Sequence, residues 1–341
     1  MTATTPTAMT QPAASKYLNA EIIGRRDLTD RISEFLIGAA DGSALPPGEA
    51  GSHIELRFGG PAGRFLRHYS LVGPLSPEYE PGYAPEPFWR IAVQRENRSR
   101  GSAFIHATFR EGTRLQVSRP IGTFRLGRDA PHVLLIAGGV GITPIVPMTR
   151  SLKFRKRPYG MFYAGRNRSD MAFAEAVEAI GGDRVTIHES DRSGFPDFEA
   201  VLAAQPEGTV VYICGPGPMI ETIAAAAERL GWSPERVRYE VFNAAHRPED
   251  TGLDVELRDG RVIHVGAGVT ILDALEQAGV DTLSDCRRGE CGLCLTEVDP
   301  GEARIDHRDS FLSPEERAEG RRMCICCSRI SNAATLKLDI R

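Results

Sequence analysis

Six cysteines fall between positions 286 and 327 of this 341-residue chain, and a seventh stands alone at 214. Cys286, Cys291 and Cys294 follow one another as C-x4-C-x2-C, and Cys324, Cys326 and Cys327 come later. Thiolates at this spacing suit a 2Fe–2S cluster, in which two irons bridged by sulfide take four sulfurs, two per iron. A short loop can wrap such a cluster and offer three sulfurs, but the fourth must return from elsewhere in the chain. Gly289 and Gly292 relieve crowding in the loop and let backbone N–H groups point at sulfur. Zinc is the competing ligand, yet zinc loops use paired C-x2-C units and here only Cys291 and Cys294 have that separation. Buried cysteine without a ligand is the third reading. Spacing alone leaves the fourth ligand open among Cys324, Cys326 and Cys327. An odd, clustered set of cysteines with no signal peptide argues against a secreted disulfide framework and for metal binding in a reducing compartment, the cytoplasm.

Three further groups of residues have chemistry in their spacing. Ala137-Gly138-Gly139-Val140-Gly141-Ile142-Thr143-Pro144 follows an apolar strand and opens a helix, so a pyrophosphate can approach its backbone and meet the positive end of the helix. Cys214-Gly215-Pro216-Gly217-Pro218-Met219 repeats that arrangement at a second strand end. Arg67-His68-Tyr69-Ser70 offers a guanidinium for phosphate, a flat ring for stacking and a hydroxyl for a polar edge, as a flavin would need. Arg98-Ser99-Arg100-Gly101-Ser102 precedes an apolar helical stretch from Ala103 to Phe109, which suits the flavin phosphate. Tyr163 to Arg166 and His188 to Asp191 are strand ends placed to flank an adenosine ribose. There Asp191 would repel a 2′-phosphate, while Arg166 and Arg168 would accept one.

The elements that must hold these groups are legible in outline. Residues 17–126 carry short alternating apolar runs (Ile54 to Phe58, Arg67 to Val72, Trp89 to Val93, Leu115 to Val117) between Gly and Pro, which suits an antiparallel β-barrel. Residues 127–243 alternate strands (His132–Ala137, Tyr159–Ala164, Val185–His188, Thr209–Cys214) with helices (Ile145–Lys153, Phe173–Ile180, Phe198–Ala204, Pro218–Leu230), the pattern of a parallel α/β sheet. After a linker at Ala244–Gly252, residues 252–341 open with a hairpin turning at Asp259-Gly260, with positive φ expected at both, then a helix over Thr270–Ala278 and another capped by Ser313. Residues 1–16 read as a flexible extension. With 41% hydrophobic residues, 25% charged residues and a formal net charge of −4, neither a nucleic-acid partner nor a membrane is indicated.

The order of these motifs resembles the phthalate dioxygenase reductase and vanillate demethylase reductase family, flavoproteins of the ferredoxin–NADP reductase superfamily with a C-terminal plant-type ferredoxin. The resemblance implies a flavin barrel, an NAD-binding α/β domain and a β-grasp ferredoxin domain. It implies FMN, with FAD open because Arg119 to Phe124 is closer to FAD-binding cousins and the phosphate loop has one glycine where relatives have two. It implies NADH, a 2Fe–2S cluster and a terminal oxygenase as partner, commonly a Rieske enzyme with an aromatic substrate. Arg67, His68, Tyr69, Ser70, Arg100, Gly101 and Ser102 would hold the flavin. Gly138, Gly139, Gly141, Thr143, Cys214, Gly215, Pro216 and Asp191 would hold the nucleotide, with Phe242 beside the flavin. Ser70, Thr143 and Cys214 would align the reacting rings. In relatives the C-x-Ser-Arg segment carries the fourth ligand, which makes it Cys326. The oxygenase would dock near Arg287, Arg288 and Glu290. A reductase for a haem monooxygenase, or an electron-transfer subunit fed by another chain, are the alternative functions. Cys326→Ser is expected to abolish the visible absorbance of the cluster, whereas Cys327→Ser should leave it largely intact; the reverse would reassign the fourth ligand.

Overall fold

Alternation in the first third of the chain becomes, in a computed structural model, a curled antiparallel sheet. The structure describes residues 17–60, 63–73, 87–96, 100–242, 250–267, 269–284, 287, 289, 292–309, 311–331 and 335–340. Among these, β1 (Tyr17–Asp27), β2 (Ile32–Ala39), β3 (His53–Gly60), β4 (Gly63–Ser70), β5 (Trp89–Gln94) and β6 (Arg114–Ser118) pair in the order β4-β3-β6-β1-β2-β5. Helix α1 (Arg100–Thr108) lies between β5 and β6 in the chain. The sheet nearly closes on itself, since the Val72 N–H just beyond β4 donates to the Arg90 carbonyl of β5 at 2.9 Å. Inward residues Ile22, Phe35, Ile54, Leu56, Ile91 and Val117 fill it. The sequence expectation omitted β1 and β2, whose long runs mix charged and apolar residues, and it placed α1 at Ala103 to Phe109 where the helix runs Arg100–Thr108.

The second sheet is parallel, in the order β11-β10-β7-β8-β9, built from β7 (Val133–Gly138), β8 (Tyr159–Gly165), β9 (Val185–Glu189), β10 (Val210–Cys214) and β11 (Val237–Glu240). Helices α2 (Ile142–Phe154), α3 (Ala174–Gly181), α4 (Ser190–Ser193), α5 (Phe198–Ala203) and α6 (Gly217–Arg229) connect them. Strand β7 is buried at every position, as a central parallel strand covered on both faces must be. The barrel is fused to this layer by one apolar core: Ile32, Val72, Ala92 and Phe124 pack in the same cluster as Leu135, Ile142, Met148 and Tyr212.

The third sheet takes the order β13-β12-β18-β14-β16, from β12 (Leu253–Leu257), β13 (Val262–Val265), β14 (Leu295–Asp299), β16 (Arg322–Cys324) and β18 (Thr335–Leu338). Strands β12 and β18 run parallel, and α7 (Ile271–Gln277) packs its buried Ile271, Leu272 and Leu275 into the core beneath them. A small ladder of β15 (Arg304–Asp306) with β17 (Arg329–Ser331) stands aside, and α8 (Pro314–Glu319) begins with a full capping box between Ser313 and Glu316. The Asp259-Gly260 turn departs from expectation. Only Gly260 has positive φ (85°), and the Leu257 N–H donates to the Arg261 carbonyl, so the loop is three residues long and ends in a glycine bulge.

This unit is pinned at its entrance by buried charge. Arg308 donates to Asp250 at 2.8 Å and to Asp306 at 2.8 Å, while Arg329, 2% exposed, donates to the carbonyls of Val269 and Thr251 at 2.7 and 2.9 Å. Asp250 is thus the point at which the chain arriving from the linker is fixed. Removing one partner of a buried pair leaves the other charge uncompensated, which costs about 3 kcal/mol or more. Asp250→Ala should therefore lower the thermal midpoint of the ferredoxin unit, followed by its own signals, while leaving the unfolding of the flavin and nucleotide layers unmoved.

Candidate functional site

The nucleotide crevice is set by strand order. Strands β7 and β10 are neighbours, with Cys214 paired to Ala137, but their following helices leave in opposite directions. Open parallel sheets bind ligands at such a switch point, beyond the carboxyl ends of the strands. There the two glycine-rich turns pack backbone on backbone. A Cβ on Gly141 would stand 2.2 Å from the Cys214 carbonyl oxygen, and one on Gly138 would stand 2.8 Å from the Met219 sulfur. Gly139 adopts φ 54° with open space where its side chain would be. The first turn of α2 has no acidic residue and no side-chain cap. These features fit a pyrophosphate.

Tyr163, fully buried in β8, opens the strand end expected to flank the adenosine ribose, and its side chain serves the neighbouring turn. Its hydroxyl lies 3.1 Å from the Gly139 carbonyl and 3.0 Å from that of Ala172, and burial pushes its pKa up, so it stays a donor. It fixes the turn on which a phosphate would rest. Thr143 is buried and donates to the Val140 carbonyl at 3.0 Å, closing the same turn. Cys214 is buried at the end of β10 in the core shared by both layers, and half-buried Phe242 packs on that core. Gly215 abuts Gly138, and Pro216 precedes α6. Asp191 opens α4, its N–H donating to the Arg166 carbonyl at 2.9 Å. Arg168 is bound to Glu178 at 3.0 Å and Arg192 to Glu189 at 3.2 Å. Two of the guanidinium groups beside the strand ends are therefore engaged with carboxylates, which favours a ribose without a 2′-phosphate.

The flavin motif sits on β4. Alternation places Arg67 and Tyr69 on one face and His68 and Ser70 on the other. Arg67 lies over the start of α1: a Cβ on Gly101 would come within 2.9 Å of its Nε. Buried Ser102 accepts from the Glu96 N–H at 3.0 Å. A guanidinium, a glycine and a helix N-terminus thus meet in a cradle suited to a phosphate, beside half-buried Tyr69. Arg100 begins that helix, while Arg98 and Ser99 lie outside the described residues. Ser70 is 5% exposed at the strand end. The His68 side chain faces the other way. Its ring stacks on His53 with centroids 5.1 Å apart and approaches Glu55 at 3.8 Å, away from Arg67 and Tyr69.

At the cysteines, Cys286 and Cys291 lie outside the described residues, as do Arg288 and Glu290. Cys294 and Cys326 are buried in the ferredoxin core with Cys324 and Cys327. Hydrogen bonds from the Cys324 and Cys326 thiols pull the Cys294 pKa down to about 3, while those two donors are pushed up. That donor set fits iron, although among the described residues no three potential ligands are gathered for a metal. The loop lies tightly on the core: a Cβ on Gly289 would meet the Cys327 sulfur at 2.5 Å, and one on Gly292 would meet the Phe311 ring at 2.3 Å. Arg287 does not rim the loop as expected. It takes φ 55° and turns inward to Asp273 and Glu276 of α7, its side chain 14% exposed.

A parallel sheet with two glycine turns at its switch point, a phosphate cradle on an adjoining barrel and a buried set of thiols define an iron–sulfur flavoprotein oxidoreductase. Residues 255–331 match the 2Fe-2S iron-sulfur cluster binding domain, and residues 116–237 match the N-terminal domain of dimethylamine monooxygenase subunit DmmA-like proteins. The chain is 41% identical to phenoxybenzoate dioxygenase subunit beta of Ectopseudomonas oleovorans, covering 98% of this chain and 99% of that one. It is 35% identical to vanillate O-demethylase oxidoreductase of Pseudomonas sp. (strain HR199 / DSM 7063), covering 88% and 93%. Phthalate dioxygenase reductase, described as a modular structure for electron transfer from pyridine nucleotides to [2Fe-2S], superposes with TM-score 0.74 at 30% identity, over 97% of this chain and all of that one. The chain belongs to this family of oxygenase reductases, and its last quarter is a 2Fe–2S cluster binding domain. Among the described residues no helix is long and apolar enough to cross a membrane.

Tyr163→Phe removes the hydroxyl that holds the Gly139 carbonyl. A net hydrogen bond is worth about 1 kcal/mol, so KM for NADH should rise about fivefold with flavin and iron content unchanged. An unchanged KM would deny the turn its dependence on Tyr163.

Proposed function

We propose that this chain is the reductase component of a Rieske-type oxygenase that acts on an aromatic compound, with FMN as its flavin. What carries the reading is that two glycine turns and a phosphate cradle stand on layers fused by one apolar core, in a chain that also holds the thiol set. The functional division follows the three sheets, at 17–126, 127–243 and 252–341. A bound flavin takes the electron pair of a hydride and releases electrons singly, as a one-electron cluster requires.

The protein supplies position and electrostatics. Gly138, Gly139 and Gly141 admit the pyrophosphate to the backbone, Tyr163 and Thr143 hold that turn, and Asp191 receives the ribose. Cys214, Gly215 and Pro216 form the opposite wall, with Phe242 at the flavin side. Arg67, Gly101 and Ser102 take the flavin phosphate with Arg100 alongside, Tyr69 stacks on its ring and Ser70 meets its polar edge. His68 touches the flavin through its backbone. Cys286, Cys291, Cys294 and Cys326 bind the irons. The described cysteines are all buried and none of them forms a disulfide, which suits work in the cytoplasm.

The aromatic substrate is supported by the name of the relative at 41% identity, a phenoxybenzoate dioxygenase subunit. A haem-dependent acceptor is the second reading, favoured by 34% identity to the heme-dependent oxidative N-demethylase beta subunit of Ectopseudomonas mendocina. Anaerobic mixing of the holoprotein with NADH should bleach the flavin band rapidly and then the cluster absorbance. Without that bleaching, the chain would be a subunit fed by another protein. Product formation with a panel of Rieske and haem oxygenases then identifies the acceptor, and turnover by haem enzymes alone would overturn the Rieske assignment.

A further inference from the structure

One carboxylate stands between the two redox halves of the molecule. Asp273, on the first turn of α7, lies 3.0 Å from Arg287 of the cysteine loop and 3.6 Å from Arg67 of the flavin strand β4. All three side chains are largely shielded, at 21%, 14% and 28% exposure. Arg287 is further held by Glu276, one turn on, and keeps a left-handed backbone immediately after Cys286. Asp273 itself is fixed, because its N–H donates to the Thr270 cap at 2.9 Å. Arg67 cannot drift, since its stem lies on Gly101 and its Nη1 donates to the Leu66 carbonyl at 2.8 Å.

We propose that Asp273 is a positioning residue that docks the ferredoxin unit onto the flavin barrel, bridging Arg67 at the flavin cradle to Arg287 at the cluster loop. The proposal rests on the flavin and cluster sites proposed above. The barrel and nucleotide layer share an apolar core, whereas this contact between barrel and ferredoxin is made by charge. A partly shielded charged contact holds at physiological salt but yields to high ionic strength far sooner than a hydrophobic seam. The docked state therefore depends on one acidic side chain, and Arg67 serves two partners at once, phosphate on one side and Asp273 on the other. One electron leaves the flavin and one enters the cluster in each internal transfer, with NADH supplying the pair, so the bridge changes no chemistry. It sets how much of the time the two centres face each other.

The test uses the full-length holoprotein carrying Asp273→Asn, after flavin and iron per chain and the rate of flavin bleaching by NADH are shown to match the unaltered protein. A failure at that stage would implicate the cofactor assignments and not the bridge. With those intact, small-angle scattering should show a larger radius of gyration, and the rate of cluster reduction after flavin reduction should fall on the order of fivefold or more. Asp273→Glu should restore both. Should Asp273→Asn fail to fold, the unaltered protein raised to about 1 M salt, where charges are screened within about 3 Å, should expand in the same scattering measurement. Unchanged scattering and an unchanged internal rate in the variant, or a salt-insensitive scattering curve, would overturn the proposal.

Discussion

Everything functional in this molecule depends on an apolar seam. Ile32, Val72, Ala92 and Phe124 come from the barrel, and Leu135, Ile142, Met148 and Tyr212 from the parallel sheet, yet they form one core. Ring-to-ring transfer of a hydride tolerates almost no slack between the partners. A seam of close-packed side chains gives that rigidity, because such cores have few voids and resist displacement. Tyr212 is itself held in place at the seam. The Tyr212 hydroxyl accepts from the Gly127 N–H at 2.7 Å, and its ring packs on Phe124 at 5.7 Å.

The ferredoxin unit is attached by different means. Its own core is complete, with Val255, Leu272, Leu275, Met323 and Leu336 buried together. Its entrance is held by Asp250 against Arg308 and Arg329, and its approach to the barrel runs through Asp273. Hydride transfer needs contact between rings, whereas single electrons cross longer gaps, so the second joint can be looser than the first. The molecule thus has a stiff half that collects electron pairs and a charge-tethered half that passes single electrons on.

Much of this was legible in the sequence wherever one residue type answers one physical need. Gly138 and Gly141 stand where a side chain would clash, Gly139 takes a positive φ, and Met219 fills the space beside Gly138 and Gly215. The cysteine spacing announced its loop. The central parallel strands β7, β8 and β10 read readily because they are apolar along almost their whole length, whereas the edge strand β11, Val237–Glu240 with two charged residues in four, was not anticipated. Strands β1 and β2 were missed because barrel strands alternate only weakly and Arg25, Arg26 and Glu34 interrupt them. Asp250, Asp273 and Arg308 were missed for a deeper reason. Each works through partners distant in sequence, such as the 58-residue separation of Asp250 from Arg308, and nothing local marks a charged residue as buried. The Ser-Arg that follows Cys327 was noticed as a motif, but its purpose appeared only in three dimensions: Ser328 binds Asp309 and Arg329 gathers three carbonyls.

The depth of Cys326 has a consequence for how the protein comes into being. That residue is 1% exposed, flanked by Cys324 and Ile325, which are equally hidden, and the Ile325 carbonyl accepts from the Leu272 N–H of α7. In the finished fold no iron donor or scaffold can reach its sulfur from outside. If Cys326 is the fourth ligand proposed above, inorganic sulfide and iron would have to be delivered before α7 settles against this segment, so that closing the last quarter of the chain and acquiring its metal would be a single event.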